Sequence, residues 1–309
     1  MFKYIGKRMI YMFLSLFIIT TVTFFMMHSI PGNPLSTQMR LMPEKVQKNY
    51  NKQYGLDQPT HVQYAKYIKN LVTKGDFGIS FKYPGRSITD TIRDTSPVSL
   101  WLGLQALAIG LPIGVLLGIL AAMKKGTVID YFVSVVAILG ITIPVFILAA
   151  LFQYVFAVKL RLFPTSGWGT FKHTIIPTMA MCFGPIATYS RYMKSNVLEV
   201  VGQDYILTAE AKGVSNMGII WKHIVRNAIL PVITLLGPQI AAIFTGSFIV
   251  ESMFSIPGLG FYYVTAIQNR DYNMIIGTTV FYAALFVLAQ LIVDLLYGVA
   301  DPRIRLQDE

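Results

Sequence analysis

The residues best suited to act on another molecule lie in one polar loop between apolar runs, about Lys194 to Asn227. Glu210, within this loop, also reads as an ordinary solvated helix residue. Gly213 can take a positive φ without a Cβ penalty, so a helix can end near Lys212 with the glycine in its last turn. Ser215 can then cap a second, short helix over Asn216 to Lys222. A helix, a glycine turn and a short helix make a compact knob that fits a groove on a soluble partner. The same stretch is also compatible with a plain connector.

Bond-making chemistry is not legible anywhere in the chain. His28, His61, His173 and His223 are scattered, and no H-E-x-x-H or Cys/His cluster brings metal ligands together. There is no G-x-x-x-x-G-K-[ST] phosphate loop, so ATP hydrolysis is not expected of this chain, and no G-x-S-x-G nucleophile turn. The reading is a non-catalytic chain with no cofactor or metal of its own. Cys182, the single cysteine, lies in an apolar segment and reads as a small buried residue.

The elements that must carry the knob are membrane helices. Of 309 residues, 54% are hydrophobic and 13% charged, about half the charge share of an ordinary soluble domain. Lys, Arg, Asp and Glu are absent from Met9–Met39, Thr95–Met123, Tyr131–Val158, Thr174–Ser190, Asn227–Val250 and Tyr272–Val293. Each interval can hold a span of about 20 residues, and in lipid such spans must be helices. Six transmembrane helices are therefore expected. A further charge-free interval, Ser252–Asn269, is broken by Pro257, Gly258 and Gly260 and reads as a loop or a partly inserted segment. The first apolar run is longer than a leader's core and lacks an A-x-A site, so it reads as a retained first helix.

The net charge of +11 sits between the apolar runs. It points to anionic lipid and to other subunits, not to nucleic acid. With the N-terminus in the cytoplasm, Lys3, Lys7, Arg8, Lys124, Lys125, Arg191, Lys194, Lys212, Lys222, Arg226, Arg303 and Arg305 all fall inside, as the distribution of basic residues in membrane proteins requires. Both termini are then cytoplasmic. The segment Pro31–Pro97 lies outside and is long enough for a small subdomain. Val62, Ala65, Ile68, Leu71 and Val72 predict an amphipathic helix there, between Pro59 and Gly75. It is either a cap joining two spans or a docking surface. Gly110, Gly114 and Gly118 recur every four residues and predict close helix packing. Pro112, Pro144, Pro177, Pro185, Pro231 and Pro238 predict kinks or helix ends.

The stretch DYILTAEAKGVSNMGIIWKHIVRNAILPVIT, Asp204 to Thr234, resembles the EAA loop of binding-protein-dependent ABC import permeases, in particular the B-type subunit of the oligopeptide and dipeptide branch. PGNP at Pro31–Pro34, YGLDQPTHVQYAKYIKNLVTKGDFGIS at Tyr54–Ser80, ESMFSIPGLG at Glu251–Gly260 and DPRIRL at Asp301–Leu306 agree with that branch and together cover nearly the whole chain. The motif departs from the sugar-permease form, since Leu207, Thr208 and Ala209 stand where E-A-A would be, and the gap to Pro231 is longer.

The resemblance implies an all-α, six-helix membrane protein of the type I ABC importer permease fold, with an extracytoplasmic subdomain between helices one and two. It implies a first helix plus outer subdomain over 1–94, a permease core over 95–300 with its EAA-type loop at about 195–228, and a cytoplasmic tail at 301–309. It further implies a bacterial cytoplasmic membrane, a second permease subunit, two ABC ATPase subunits that use ATP and Mg, and an external peptide-binding protein. Ala209, Glu210, Ala211, Lys212, Gly213 and Ser215 would form the ATPase-coupling loop. The substrate path is not assigned: Gln153, Gln239, Thr245 and Gln290 can line a path or bridge helices. Nickel or another small solute is an alternative cargo within the family. A stand-alone secondary carrier is a different alternative, disfavoured by the lack of ionisable residues in the spans.

Overall fold

The computed structural model describes residues 2–30, 43–44, 47–48, 51–52, 55–83 and 85–300. PGNP, DPRIRL, the tail and the Thr245 side chain lie outside the described residues. The fold is helical. Among the described residues the only β feature is an isolated bridge between Ile79 and Ser87. The chain divides into two compact units, residues 1–99 with 257–288, and residues 100–256 with 289–309.

The first unit begins with α1, Phe2–Ser29, an apolar helix. Thr20, Thr23 and Phe24 are buried, whereas Ile10, Phe13 and Phe17 are exposed, as suits a helix with one face in lipid. The expected amphipathic helix is present as α2, Thr60–Lys74. It ends where Gly75 takes φ +63 and the Gly75 and Asp76 N–H groups donate to Leu71 and Asn70. Tyr64, Tyr67 and Leu71 of α2 pack on Phe24, Ile276 and Val280. Burial raises the Tyr67 phenol well above its ordinary value, with the Asp76 carboxylate adding to the shift.

The loop after α2 is clamped by Asp271, which is buried. Its carboxylate accepts from the Ser80 hydroxyl at 2.5 Å, from the Phe81 and Lys82 N–H groups at 3.0 and 3.1 Å, and from the Met274 N–H at 3.2 Å. Four donors offset the cost of burying a charge.

The helix α3, Ile88–Met123, follows. In the second unit come α4, Val128–Thr142, and α5, Val145–Phe152, which continues as a π-helix over Gln153–Lys159. The interval Tyr131–Val158 is therefore not one straight span. It is bent by 106°, with extended backbone at Ile143 and Pro144. Pro144 has no N–H for the helix ladder and pushes the residue before it out of the helical region. In contrast, α6, Phe171–Val201, runs unbroken through Pro177 and Pro185.

The glycine row packs as expected. A Cβ on Gly110, Gly114 or Gly118 of α3 would lie 2.9, 2.8 and 2.6 Å from the carbonyl oxygens of Cys182, Ile186 and Ser190 on α6. Gly140 of α4 approaches Phe183 and Ala187 in the same way. Cys182 is buried in this packing.

The interval Asn227–Val250 also differs from a single helix. Arg226–Ala228 and Leu230–Thr234 are short pieces that precede α8, Leu236–Met253. Ser252–Asn269, read as a loop or partly inserted, contains an 11-residue helix α9, Leu259–Asn269, in the first unit. Pro257 and Gly258 lie just ahead of it, where they disturb no helical hydrogen bond. The last helix, α10, is Tyr272–Ala300. By length and composition α1, α3 and α10 can each cross a membrane, and the bent α4–α5 pair passes the same test as a unit.

Candidate functional site

The six residues that the resemblance assigns to a coupling loop lie at one turn. Their support is the second half of α6, where Tyr189, Met193 and Val197 are fully buried at four-residue spacing. This spacing keeps one face of the helix on the core up to its end at Val201. Gln203 is extended and Asp204 opens α7, Asp204–Ala211, with a carboxylate at the positive end of the helix dipole. Ile206 and Ala209 face inward, so α7 lies on the surface with its other sides exposed.

The end of α7 is a Schellman turn. Gly213 takes φ +74, its N–H donates to the Glu210 carbonyl at 2.9 Å, and the Val214 N–H donates to the Ala209 carbonyl at 3.2 Å. Ser215 then caps Asn216–Gly218, its hydroxyl accepting from the Gly218 N–H at 3.3 Å. The helix continues as a π-helix over Ile219–Val225, in which Ile219, Ile224 and Val225 are buried. The short helix expected up to Lys222 is thus one α-turn followed by a π-helix, a rarer winding that sequence periodicity does not report. The Asn196 side chain donates to the Ala228 carbonyl at 3.1 Å and ties the far end of the loop back to α6.

Of the six residues, Ala209 is buried and positions the turn. Glu210, Ala211, Lys212, Gly213 and Ser215 are exposed. Nothing lies within 4 Å of where a Gly213 Cβ would sit, so its surroundings are open and only its φ is demanding. Sequence reasoning missed the apolar side chains around this turn. Leu207, Met217, Trp221 and Tyr205 are 61%, 64%, 50% and 42% exposed. These four stand beside the exposed charges of Glu210 and Lys212 on the same loop. For Tyr205 and Leu207 the signal was present as the outward phase of a helix whose inward phase is Ile206 and Ala209.

The histidines are not brought together. The His28 ring stacks on Phe24 and its Nδ1 lies 2.9 Å from the Phe24 carbonyl, while His173 Nδ1 lies 2.8 Å from the Thr170 hydroxyl. Gln153 donates to the Thr165 carbonyl at 2.7 Å and is held by a loop.

The structure is thus helical, with helices apolar and long enough to cross a membrane and an exposed glycine turn at Gly213. Residues 114–306 match the family described as binding-protein-dependent transport system inner membrane component, and residues 1–102 match that family's N-terminal region. The chain belongs to this family. It is 46% identical over 306 residues to the dipeptide transport system permease protein DppB of Bacillus subtilis, covering 99% of each chain. It is 41% identical to DppB of Lactococcus lactis, covering 99% of this chain and 100% of the relative. It is 40% identical to the oligopeptide transport system permease protein OppB of Haemophilus influenzae, with the same coverage.

Proposed function

We propose that this chain is one permease subunit of an ATP-driven peptide importer, forming with a second permease the path for dipeptides or oligopeptides. The observation that carries the proposal is likeness to named peptide permeases over 99% of the chain. An external binding protein delivers the cargo, and two ATPase subunits bind ATP and Mg in the cytoplasm. The turn formed by Ala209, Glu210, Ala211, Lys212, Gly213 and Ser215, with Leu207, Met217 and Trp221 beside it, is the surface those ATPases grip. What supports that role is exposure of apolar and charged side chains on a knob braced against the core by Ile206 and Ala209.

The finer architecture belongs to the same proposal. Six spans of the type I permease fold are obtained when the bent α4–α5 pair, α6 and the broken stretch from Arg226 to Met253 each count as one crossing. Both termini then lie in the cytoplasm, and α2 with its clamped loop forms the extracytoplasmic subdomain.

Gentle purification of the tagged chain from its own host, followed by mass spectrometry, tests the proposal. Recovery of a second permease and of proteins with ATP-binding motifs is expected. A chain recovered alone that moves solute in liposomes without ATP would overturn it in favour of a secondary carrier.

A further inference from the structure

Between α4 and α6 runs a groove of about 310 Å³ whose two ends differ in chemistry. Val133, Ala137 and Ile141 form one row along α4, and Ile138 stands beside them, 62% exposed. From Val133 to Thr142 the wall is roughly 13 Å long, close to the ~15 Å depth of one leaflet's hydrocarbon. At the Ser134 end the lining becomes basic, with Arg191 and Lys194 of α6.

Lys194 is paired with Asp130, and its ammonium also donates to the Ser134 hydroxyl at 3.1 Å. Asp130 in turn accepts from the Gly126 N–H at 3.0 Å, which draws the turn bearing Lys124 and Lys125 to the same end. Arg191 lies 5.7 Å from the Tyr192 ring centroid, and among the described residues no carboxylate pairs with it. Lys124, Lys125, Arg191 and Lys194 against Asp130 leave this end with surplus positive charge. Tyr131 and Phe132 are 67% and 65% exposed beside it. An exposed tyrosine next to lysine and arginine, as Tyr131 is, marks the level where a bilayer meets water. Basic pockets between membrane helices at that level suit lipid phosphates.

We infer that this groove is a binding site for an anionic phospholipid, with the headgroup phosphate on Arg191 and Lys194 and an acyl chain along Val133, Ala137, Ile138 and Ile141. The site depends on the chain's place in a membrane and not on its cargo. Arg191 supplies the unbalanced charge, and Lys194, held by Asp130 and Ser134, supplies a fixed donor.

The test uses the intact importer in a neutral detergent, given phosphatidylglycerol, phosphatidylcholine with the same acyl chains, or inorganic phosphate. Native mass spectrometry counts the lipid retained on this chain. Phosphatidylglycerol is expected to be retained over phosphatidylcholine. Arg191→Gln lowers its retention about fivefold, as loss of one cation near a phosphate predicts, and Arg191→Lys restores most of it. Ile138→Trp fills the groove and lowers retention of both lipids. Because it leaves every charge in place, it decides the matter if Arg191→Gln fails to assemble. Equal retention of the two lipids, or unchanged phosphatidylglycerol on Ile138→Trp, overturns the inference. Displacement by inorganic phosphate alone makes free phosphate the ligand and overturns it too. Cross-linking of Ile138→Cys to the second permease in the assembly assigns the groove to a protein contact instead.

Discussion

Gly213 separates two costs that a substitution usually mixes. Its φ of +74 charges any side chain for the left-handed backbone, about 1–2 kcal/mol for most residues and less for Asn. Its open surroundings charge nothing within the chain itself, so bulk there meets only what comes from outside. Gly213→Asn is expected to keep membrane abundance and most uptake. Gly213→Arg keeps abundance and abolishes uptake, because a long charged side chain stands where a partner must approach. Equal uptake by the two variants at equal abundance would remove the coupling role. Leu207→Asp makes a second cut at the same surface. A substitution at a residue this exposed changes stability by no more than about 0.5 kcal/mol, so lower retention of the ATPases on purification reads contact and not folding.

At the scale of elements, the glycine row fixes how near α3 comes to α6. A Gly118 Cβ would lie 2.6 Å from the Ser190 carbonyl and 2.7 Å from the Met193 Cβ, and neither backbone can yield. Gly118→Val is expected to lower membrane abundance sharply, measured by immunoblot of membranes. Gly184→Ala in α6 is expected to leave it unchanged, since nothing lies within 4 Å of that position. This row was legible in the sequence because helical spacing of small residues has one common cause. The turn at Gly213 was legible for the same reason, as only a few residue types fit a left-handed cap. The 106° bend after α4 was foreshadowed by Pro144, but a charge-free interval reports length and not direction. Helix α9 was hidden because Pro257 and Gly258 were read as breakers when they stand just before a helix. The clamps by Asp130 and Asp271 could not be read at all. Beside near neighbours such as Gly126 and Met274, their donors include Lys194 for one and Ser80 and Phe81 for the other, which are far away in sequence.

The whole molecule turns on how that bent pair sits in the bilayer. Between Lys74, at the end of α2, and Ser215, in the glycine-turn knob, the chain passes through α3, the α4–α5 pair and α6. If the pair crosses once, there are three crossings and the two positions lie on opposite sides. If the 106° bend makes it a re-entrant hairpin, there are two crossings and they share a side. The balance of Lys and Arg favours the first case, since Lys124, Lys125, Arg191, Lys194, Lys212 and Lys222 then lie on one face of the membrane. Cys182, the only native cysteine, is replaced by Ser so that Lys74→Cys and Ser215→Cys can be labelled singly. A membrane-impermeant maleimide is expected to label Lys74→Cys in intact cells, and Ser215→Cys only after permeabilisation. Labelling of both from outside would make the pair re-entrant and reduce the count of spans. The reverse pattern would invert the protein and place the knob beyond reach of any ATPase in the cytoplasm, so one pair of cysteines tests the span count, the orientation and the coupling role together.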